Sequence, residues 1–332
     1  MNPYAALSQR SQQAVMRRVA GRALPAFNLA NAKLKLVTHS FNTTFRVTHP
    51  EGEFAMRINV NSMTAPEEIA AEVAWVEALG RAGTVLVPTP RRTEAGEAKA
   101  MIDCPELGRQ VPVVVYSWLE GRGLGTFTHP ATARQMGRAL AAIQEHGRTF
   151  NLPAGTTRKR MESVLLTAEY RLPDEPIFRE TFEAAEAVVA KLKARPAQLT
   201  HFDLHFWNVR HTPRGLAVFD FDDCFYAWPT ADLAQSLFYM RRRRNAEALE
   251  AAFREGAAVD PADDGLTEEE LETLVAGRLL LLANDMQGNM TAEIAEMAPT
   301  YLKASRVWLR EFWRTGRFRT QGSFYDAAKL DD

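Results

Sequence analysis

The pattern of apolar residues changes character once along this chain, near residue 120, and that change limits the folds the chain can adopt. Before it, runs rich in Val, Thr and Phe predict strands over 43–48, 53–60 and 111–118. A single helix is expected among them, over 66–83, since proline is tolerated in a first turn and Gly83 can end a helix. Beyond residue 120, helical spacing dominates. We therefore expect an α+β fold with two lobes, a small β-rich N-terminal lobe over 1–117 and a larger, mostly helical C-terminal lobe over 118–332.

Further elements follow from the same patterns. The glycine-rich stretch "GRGLG" at 121–125 does not have the spacing of a nucleotide-binding G-x-G-x-x-G and is interpreted as a loop. A leading helix is expected over 5–24, strand-like pieces over 85–87 and 99–102, and helices over 130–147, 159–170, 178–192 and from 231 onward. Trp75, Phe238 and Trp313 fall at helical core positions.

Composition argues against several classes of protein. The net charge of −1 over 332 residues gives no support for a nucleic-acid or membrane partner. The longest leucine-rich run, 279–283, is too short to span a bilayer, and no apolar leader is present. The basic run at 241–245 ends a predicted helix, so we interpret it as a solvated or acceptor-facing patch. Two distant cysteines predict neither a disulfide framework nor a zinc site, and a cytoplasmic location is expected.

The chemistry-bearing residues are concentrated in "HFDLHFWNV" at 201–209 and "VFDFDDC" at 218–224. His201, Asp203 and Asn208 have the spacing H-x-D-x-x-x-x-N, and a predicted strand over 216–219 delivers Asp220. Phosphoryl transfer from a nucleotide needs one carboxylate to orient or deprotonate a hydroxyl. It also needs an amide oxygen and a second carboxylate to hold Mg²⁺ against the phosphates. Asp203 fits the first role, and Asn208 and Asp220 fit the second.

The upstream half offers matching groups for the phosphates. Arg57 lies on a predicted strand where a kinase places its phosphate-binding lysine, and Glu72 lies in the following helix as its acidic partner. The loop "THSFNTTF" between two strands contains no glycine, so Ser40 and Asn42 are expected to offer side-chain donors to the nucleotide. His201 is expected to hold the loop through backbone partners.

From about residue 34 to at least residue 260, the chain resembles the aminoglycoside phosphotransferase-like kinases, which include homoserine kinase type II and choline kinase relatives. The stretch "LTHFDLHFWNVRHTPRGLAVFDFDDCFYAWPTADLA" is similar to that family's H-G-D-x-H-x-x-N, I-D-F-D-D and D-L-A motifs. The resemblance implies a protein-kinase-like fold, ATP and Mg²⁺ as cofactors, and transfer to an alcohol group. It implies the following roles: Asp203 as catalytic base, Asn208 and Asp220 as metal ligands, Asp222 as a contact to metal or substrate, Asp232 as a helix cap that braces the catalytic loop, and Ser117, Trp118 and Leu119 as the hinge that meets adenine.

The chain departs from the family pattern at apolar positions of the loop. Phe202 replaces the usual glycine, Phe206 and Trp207 replace a common Pro-Gly pair, and Ala227 stands where glycine is frequent. These changes make the loop bulkier but leave the charged positions in place. They bear on the local backbone and on the acceptor pocket.

Other interpretations stay open at this stage. The acceptor is expected to be a small molecule, with a protein serine or threonine as an alternative, and the acidic tract 220–223 favours a cationic or hydroxylated compound. A metal-dependent hydrolase would use His201, Asp203 and His205. A non-catalytic nucleotide-binding protein would have its acceptor site closed by the loop at Phe206 and Trp207. The oligomeric state and the choice between ATP and GTP are also open.

Overall fold

The N-terminal part of the molecule is built on an antiparallel sheet. The computed structural model describes residues 3–61, 64–125, 129–166, 169–320 and 322–331. The strands of this sheet are β1 (Lys33–His39), β2 (Thr43–His49), β3 (Gly52–Ile58), β4 (Pro90–Arg91), β5 (Ala100–Cys104) and β6 (Arg109–Ser117). Strands β1, β2, β3 and β6 are adjacent in that order, and β4 and β5 pair with successive parts of the other edge of β6.

Alternation along β6 sends its side chains into two different cores. Val113 and Val115 face one side of the sheet and pack in a cluster with α1 (Gln9–Ala23). Val114 and Tyr116 face the other side, in a cluster with α2 (Pro66–Ala82) that continues into the helical part of the chain. The sheet is therefore covered by α1 on one face and joined to the rest of the molecule on the other.

The C-terminal part is mostly helical, with short strands that frame two loops. Its helices are α3 (Pro130–Thr149), α4 (Pro176–Leu192), α5 (Pro229–Met240), α6 (Ala246–Ala257), α7 (Glu268–Gln287), α8 (Ala292–Thr315) and α9 (Phe324–Ala328). Its strands are β7 (Arg122–Gly123), β8 (Gln198–Thr200), β9 (Val209–Thr212), β10 (Gly215–Val218) and β11 (Phe225–Ala227). Strands β8 and β9 bracket residues 201–208, and β10 and β11 bracket residues 219–224. Within the described ranges, no helix is long and apolar enough to cross a membrane.

This architecture confirms the predicted α+β fold, with the β2–β3 hairpin, the strand at 111–118 and the helix at 66–83 close to their expected places. Strand β1, at the edge of the sheet, is the strand expected before the loop "THSFNTTF", and its bounds were not predicted. The leading helix begins at Gln9, where Ser8 caps it by accepting a hydrogen bond from the Ser11 backbone.

The helix predicted over 159–170 is wrong for the described residues up to 166, and residues 167 and 168 lie outside the described part. The segment instead runs beside β11. Met161 donates its backbone N–H to Tyr226 O at 2.9 Å, and Tyr226 N donates to Lys159 O at 2.9 Å. Hydrogen bonds to a neighbouring strand thus replace the local helical bonds, and tertiary contacts override local propensity.

Four smaller predictions also need correction. Residues 85–87 form only a single bridge, Leu86 to Ala217, so the segment joins the two parts of the molecule instead of entering the sheet. Part of the predicted 121–125 loop forms β7, because Arg122 and Gly123 pair with β9. Trp313 is 47% exposed, since its helix turns that face toward solvent. Arg241, predicted within a surface patch, is buried between Glu250 and Glu272, which neutralise its charge.

Candidate active site

Two loops that follow short strands meet at the centre of the molecule. Strands β9 and β10 pair antiparallel with Val209 opposite Val218. One residue beyond this pair, Phe219 N donates to Asn208 O at 3.1 Å. The register of the two strands therefore brings Asn208 to the start of the loop that contains Asp220.

Buried polar contacts hold the 201–208 loop in one conformation. The His201 ring is fully buried, and its Nε2 lies 3.2 Å from Phe219 O while its Nδ1 accepts from Asp203 N at 3.2 Å. Burial lowers the pKa of His201 to about 4, so the ring is neutral at physiological pH. Asp232 Oδ1 accepts from Phe202 N at 2.8 Å, yet Asp232 is not the cap of its helix, because the N-cap of α5 is Trp228. His201 and Asp232 thus position the loop through its backbone.

Phe202, which stands where the family usually has glycine, adopts a left-handed backbone conformation with φ 63°. Such a conformation is unfavourable for a residue with a Cβ atom, which explains why glycine is common there. The phenyl ring is fully buried and packs 6.1 Å from the Phe225 ring. Packing of this ring offsets the backbone strain.

A comparison of two variants separates the strain from the packing. Phe202→Ala removes the ring and keeps the strain, so we expect a loss of about 3–5 kcal/mol of unfolding free energy. Phe202→Gly removes both and should be less destabilising by about 1 kcal/mol, the reverse of the usual order of alanine and glycine. Urea denaturation of both variants measures the difference. A glycine variant less stable than the alanine variant would show that the backbone at 202 is not strained.

Asp203 is held by three donors. Arg278 Nη2 lies 2.7 Å from its Oδ1, and Asn208 Nδ2 and His205 Nε2 lie 2.9 Å and 3.2 Å from its Oδ2. Burial works against ionisation, but His205 and Arg278 outweigh it and lower the pKa of Asp203 to about 2. The carboxylate is therefore ionised and fixed in orientation across the physiological pH range.

Asn208 and Asp220 leave oxygen atoms uncommitted. The Asn208 amide nitrogen donates to Asp203 O and Oδ2, both at 2.9 Å, while its Oδ1 accepts no hydrogen bond from another described residue. Asp220 is 44% exposed at its side chain, and Arg57 Nη1 lies 3.6 Å from its Oδ1. Partial burial of the carboxyl raises the pKa of Asp220 to about 6, with Arg57 opposing the rise and Asp222 adding to it. An amide oxygen and a carboxylate free of strong partners are ligands that Mg²⁺ prefers.

Arg57 and Glu72 form a buried ion pair between β3 and α2. Both guanidinium nitrogens Nη1 and Nη2 bind the Glu72 carboxylate, at 2.9 Å and 2.7 Å, and Tyr116 donates to Glu72 Oε1 at 2.8 Å. Arg57 Nε also donates to Asn59 Oδ1 at 3.1 Å. The structure thus brings together the two residues that the sequence pairs, and their role toward phosphate stays a prediction.

The Asp222 carboxylate accepts more hydrogen bonds from protein groups than the Asp220 carboxylate does. Its carboxylate accepts from Asn42 Nδ2 at 2.7 Å and from Asn59 Nδ2 at 2.9 Å, and Arg57 Nη2 lies 3.3 Å away. These donors lie in the N-terminal part, so Asp222 joins the two parts of the molecule across the cleft. A contact between Asp222 and a metal ion, as predicted, would compete with these donors.

The predicted nucleotide-contacting loop and hinge lie at opposite ends of the sheet, because Thr43 pairs with Ile58 whereas Ser117 pairs with Phe54. Ser40 N donates to Asn42 O at 3.0 Å, which closes a tight turn between β1 and β2. In the hinge, Ser117 N donates to Thr89 O at 2.8 Å and Trp118 N donates to Glu53 O at 2.9 Å. The N–H of Leu119 makes no hydrogen bond to another described residue, so it is the backbone donor of the three that stays free for the predicted contact with adenine.

The residues of the alternative hydrolase site do not converge as metal ligands. Both ring nitrogens of His201 are engaged, and His205 Nδ1 accepts from Trp207 N at 3.2 Å. No group of three His, Cys, Asp or Glu side chains within the described residues is placed to hold a metal ion. The histidines instead fix the loop around Asp203.

Three residues that the sequence analysis did not select contribute to this site. Arg278 contacts Asp203, Asn59 contacts Arg57 and Asp222, and Arg158 donates to Cys224 O at 2.7 Å. Arg278 is an isolated charge in the apolar run "AGRLLLLAN", which is a usable signal because buried arginines are normally paired. Asn59 lies two residues after Arg57 and so points to the same side of the strand. Arg158 lies in an irregular segment and carries no such signal.

The sequence model of the phosphotransferase enzyme family matches residues 34–271. An uncharacterized protein of Deinococcus radiodurans is 27% identical over 229 residues, which is 65% of this chain and 64% of that protein's length. The match therefore covers a little under two thirds of the relative.

Solved structures with the same architecture include three kinases. An amicoumacin kinase in complex with AMP-PNP, Ca²⁺ and its ligand superposes with a TM-score of 0.71 and 16% identity, covering 90% of this chain and 95% of that chain. A microcompartment-associated aminopropanol kinase has a TM-score of 0.71 and 22% identity, covering 91% and 99%. An ethanolamine kinase of Plasmodium vivax has a TM-score of 0.52 and 11% identity, covering 82% of each chain. At these identities the likeness establishes the fold.

Proposed function

The chain belongs to the phosphotransferase enzyme family, and from this premise we propose that it transfers the γ-phosphate of ATP to a hydroxyl group of a small molecule. Nucleotide is bound between an N-terminal lobe that ends at residue 117 and the helical lobe that follows. The observation that carries the proposal is the geometry of Asp203, Asn208 and Asp220. An ionised, fixed carboxylate lies beside an uncommitted amide oxygen and an uncommitted carboxylate.

Asp203 positions the acceptor. Its carboxylate accepts a hydrogen bond from the attacking hydroxyl, which then forms a bond to the γ-phosphorus as the bond to the bridging oxygen of ADP breaks. A carboxylate with a pKa near 2 is a weak base, so it takes the hydroxyl proton late in the step and passes it to solvent. The contribution of Asp203 is therefore mainly orientation and electrostatics.

Asn208 and Asp220 would hold Mg²⁺, with Asp222 as a further candidate ligand. The fit rests on their free oxygen atoms, since a hard divalent cation takes oxygen ligands and completes its shell with phosphate oxygens and water. When bound, Mg²⁺ supplies positive charge that neutralises the β- and γ-phosphates. Arg57, fixed by Glu72, faces the same acids and adds positive charge on the N-terminal side.

The acceptor is proposed to be a small molecule with a hydroxyl group. Kinases with the same fold are named for amicoumacin, aminopropanol and ethanolamine. Two acids close enough to Arg278 to feel its charge make no ion pair with a cation among the described residues. Asp223 is exposed, and Asp285 is half-buried with its pKa raised to about 6 by burial. Either acid could receive a positively charged group of the acceptor.

The two alternative functions are less well supported. A hydrolase built on His201, Asp203 and His205 would need ring nitrogens that are engaged in the loop. A non-catalytic protein would have Phe206 and Trp207 closing the acceptor site. Phe206 is fully buried and Trp207 is 48% exposed on the surface, where Arg243 lies 4.9 Å from its ring centre.

Calorimetric titration with ATP tests the proposal. We expect saturable binding in the presence of Mg²⁺ and a much weaker interaction after EDTA is added, because the nucleotide phosphates and the acids of the cleft repel one another without the metal. GTP in place of ATP reports the base preference. Affinity for ATP that does not respond to EDTA, or no binding in either condition, would contradict the proposal.

A further inference from the structure

The loop between β1 and β2 is hydrogen-bonded at its tip to the helical part of the molecule. Thr291 donates its hydroxyl to Ser40 O. Asn61 Nδ2 donates to the same carbonyl at 3.3 Å, to Phe41 O at 2.9 Å and to Thr291 Oγ1 at 3.0 Å. Asn61 Oδ1 accepts from Met290 N at 2.7 Å. Residues at the start of α8 thus hold the loop that is predicted to cover the nucleotide.

Thr291 occupies the N-cap position of α8 but does not cap that helix. A threonine there commonly accepts a hydrogen bond from the backbone of the first turn, as Thr267 does for α7. At Thr291 no such bond forms, and its buried hydroxyl is bonded to Ser40 and Asn61 instead. The hydroxyl therefore serves the contact between the two parts of the molecule and not the helix that it precedes.

Gln12 of α1 makes a second set of contacts with the same residues. Its side chain is fully buried, with Nε2 donating to Met290 O at 2.8 Å and Oε1 accepting from Ala292 N at 2.8 Å. Ala292 is the first residue of α8, so its N–H has no partner within the helix. Helix α1 precedes residues 34–271, which the family model matches. This contact is therefore made by a segment outside that match.

The contacts lie at the end of the sheet that is remote from the hinge. The chain leaves the sheet at Ser117, which pairs with Phe54 of β3. At the other end of β3, Ile58 pairs with Thr43, the first residue after the loop. A movement that opens the cleft about the hinge displaces this remote end most. It therefore separates the loop from the start of α8 and breaks the hydrogen bonds between them.

We propose that Gln12, Asn61 and Thr291 form a latch, which positions the loop at 40–42 over the nucleotide and has to break for nucleotide to enter or leave. The inference rests on the proposed function, since it assigns a gate to the same nucleotide site. The three side chains are uncharged, so Mg²⁺ and phosphate do not compete for their hydrogen bonds. The latch is therefore closed both before and after nucleotide binds.

Replacing Thr291 with valine removes the hydroxyl and keeps the shape of the side chain. We expect the association and dissociation rate constants of nucleotide to rise together, by about 5- to 50-fold, the range for two lost hydrogen bonds. Their ratio, the dissociation constant, should stay nearly unchanged, because both steps wait for the same opening. Stopped-flow fluorescence with Mg²⁺ and N-methylanthraniloyl-labelled AMP-PNP measures both rate constants. A residue that only supported the bound nucleotide would change the dissociation rate alone.

Three further variants control for other effects of the substitution. Thr291→Ser keeps the hydroxyl and should retain the wild-type rate constants. Asn61→Ala removes the side chain that bonds Ser40, Phe41 and Met290, and it should raise both rate constants at least as much as Thr291→Val. Thr267→Val removes a hydroxyl that does cap its helix, so it should lower Tm and leave the nucleotide rate constants unchanged.

Amide hydrogen exchange reports opening of the latch without nucleotide. The N–H groups of Met290 and Ala292 donate to Asn61 and Gln12, so their exchange should accelerate in Thr291→Val by the same factor as the nucleotide rate constants. Unchanged exchange, unchanged rate constants, a faster dissociation alone, or a serine variant that behaves as the valine variant would overturn the gate. Accelerated exchange in a protein whose wild type binds no nucleotide would instead overturn the proposed function, and the nucleotide role of the latch with it.

Discussion

Replacing Asp220 with alanine is expected to abolish Mg²⁺-dependent binding of ATP and to lower kcat by at least about 10³-fold, since metal stabilisation of transferring phosphate contributes several kcal/mol. The carboxylate faces the cleft with 44% of its side chain exposed and has Arg57 as a distant partner at 3.6 Å. Its removal therefore costs little packing. Calorimetry measures the binding loss, and ADP release in the presence of an acceptor measures the rate.

A matched variant separates this effect from a general loss of negative charge. Asp263 is exposed near the start of α7, and Asp263→Ala should bind Mg²⁺–ATP as the wild type does. The Asp220→Ala variant should unfold at a temperature no lower than the wild type at neutral pH, because partial burial already disfavours the ionised carboxylate and raises its pKa to about 6. Unaltered turnover in Asp220→Ala would remove this residue from the metal site.

The central part of the site could be predicted from sequence because its residues lie close together along the chain. Asp203 and Asn208 are separated by five positions, and Asp220 follows one short hairpin later. Local geometry then determines the relative positions of all three, since β9 and β10 pair in a single register. The strand and helix that bear Arg57 and Glu72 were predictable for the same reason, from alternation and from a proline at a helix start.

The remaining parts depend on contacts between distant segments. Arg278 reaches Asp203 from 75 residues along the chain, and no pattern in the sequence fixes how α7 packs against the loop. The conformation of residues 159–166 could not be predicted for the same reason, because their backbone forms hydrogen bonds with β11 instead of the local hydrogen bonds of a helix. By sequence Asp222 was a candidate to contact metal or substrate, but the positions of Asn42 and Asn59 give it two hydrogen bonds that Asp220 lacks.

Arg57 makes a set of contacts that a lysine at the same position could not reproduce. Its guanidinium binds Glu72 with two nitrogens, Asn59 with a third, and still lies 3.3 Å from Asp222. A lysine has one nitrogen and could not satisfy these partners together. Arg57 thus joins β3, α2 and the acidic tract in one buried network, and it is held in place before any phosphate arrives.

Replacing Asp203 with asparagine should separate binding from transfer. The amide keeps an oxygen for Arg278 but loses the negative charge that attracts and orients the attacking hydroxyl. We expect kcat to fall by about 10²- to 10⁴-fold, the usual contribution of a positioned acid–base group. The dissociation constant of Mg²⁺–ATP should change little, because the uncommitted oxygens of Asn208 and Asp220 are left in place. Single-turnover assays and calorimetry on the same preparation measure the two quantities.

We expect ATP binding and phosphate transfer to respond differently because Asp203 is oriented by protein groups, whether or not nucleotide is bound. Arg278 and His205 lower its pKa to about 2 against the effect of burial, so the carboxylate is ionised throughout the pH range of an ordinary assay. Between pH 5 and pH 8 the residual rate of Asp203→Asn should therefore follow the same pH profile as the wild type. Asp263→Asn serves as the matched exposed control. Retained transfer in Asp203→Asn, with Mg²⁺–ATP binding intact, would assign the orienting role to another residue of the cleft, with Asp223 the next to test.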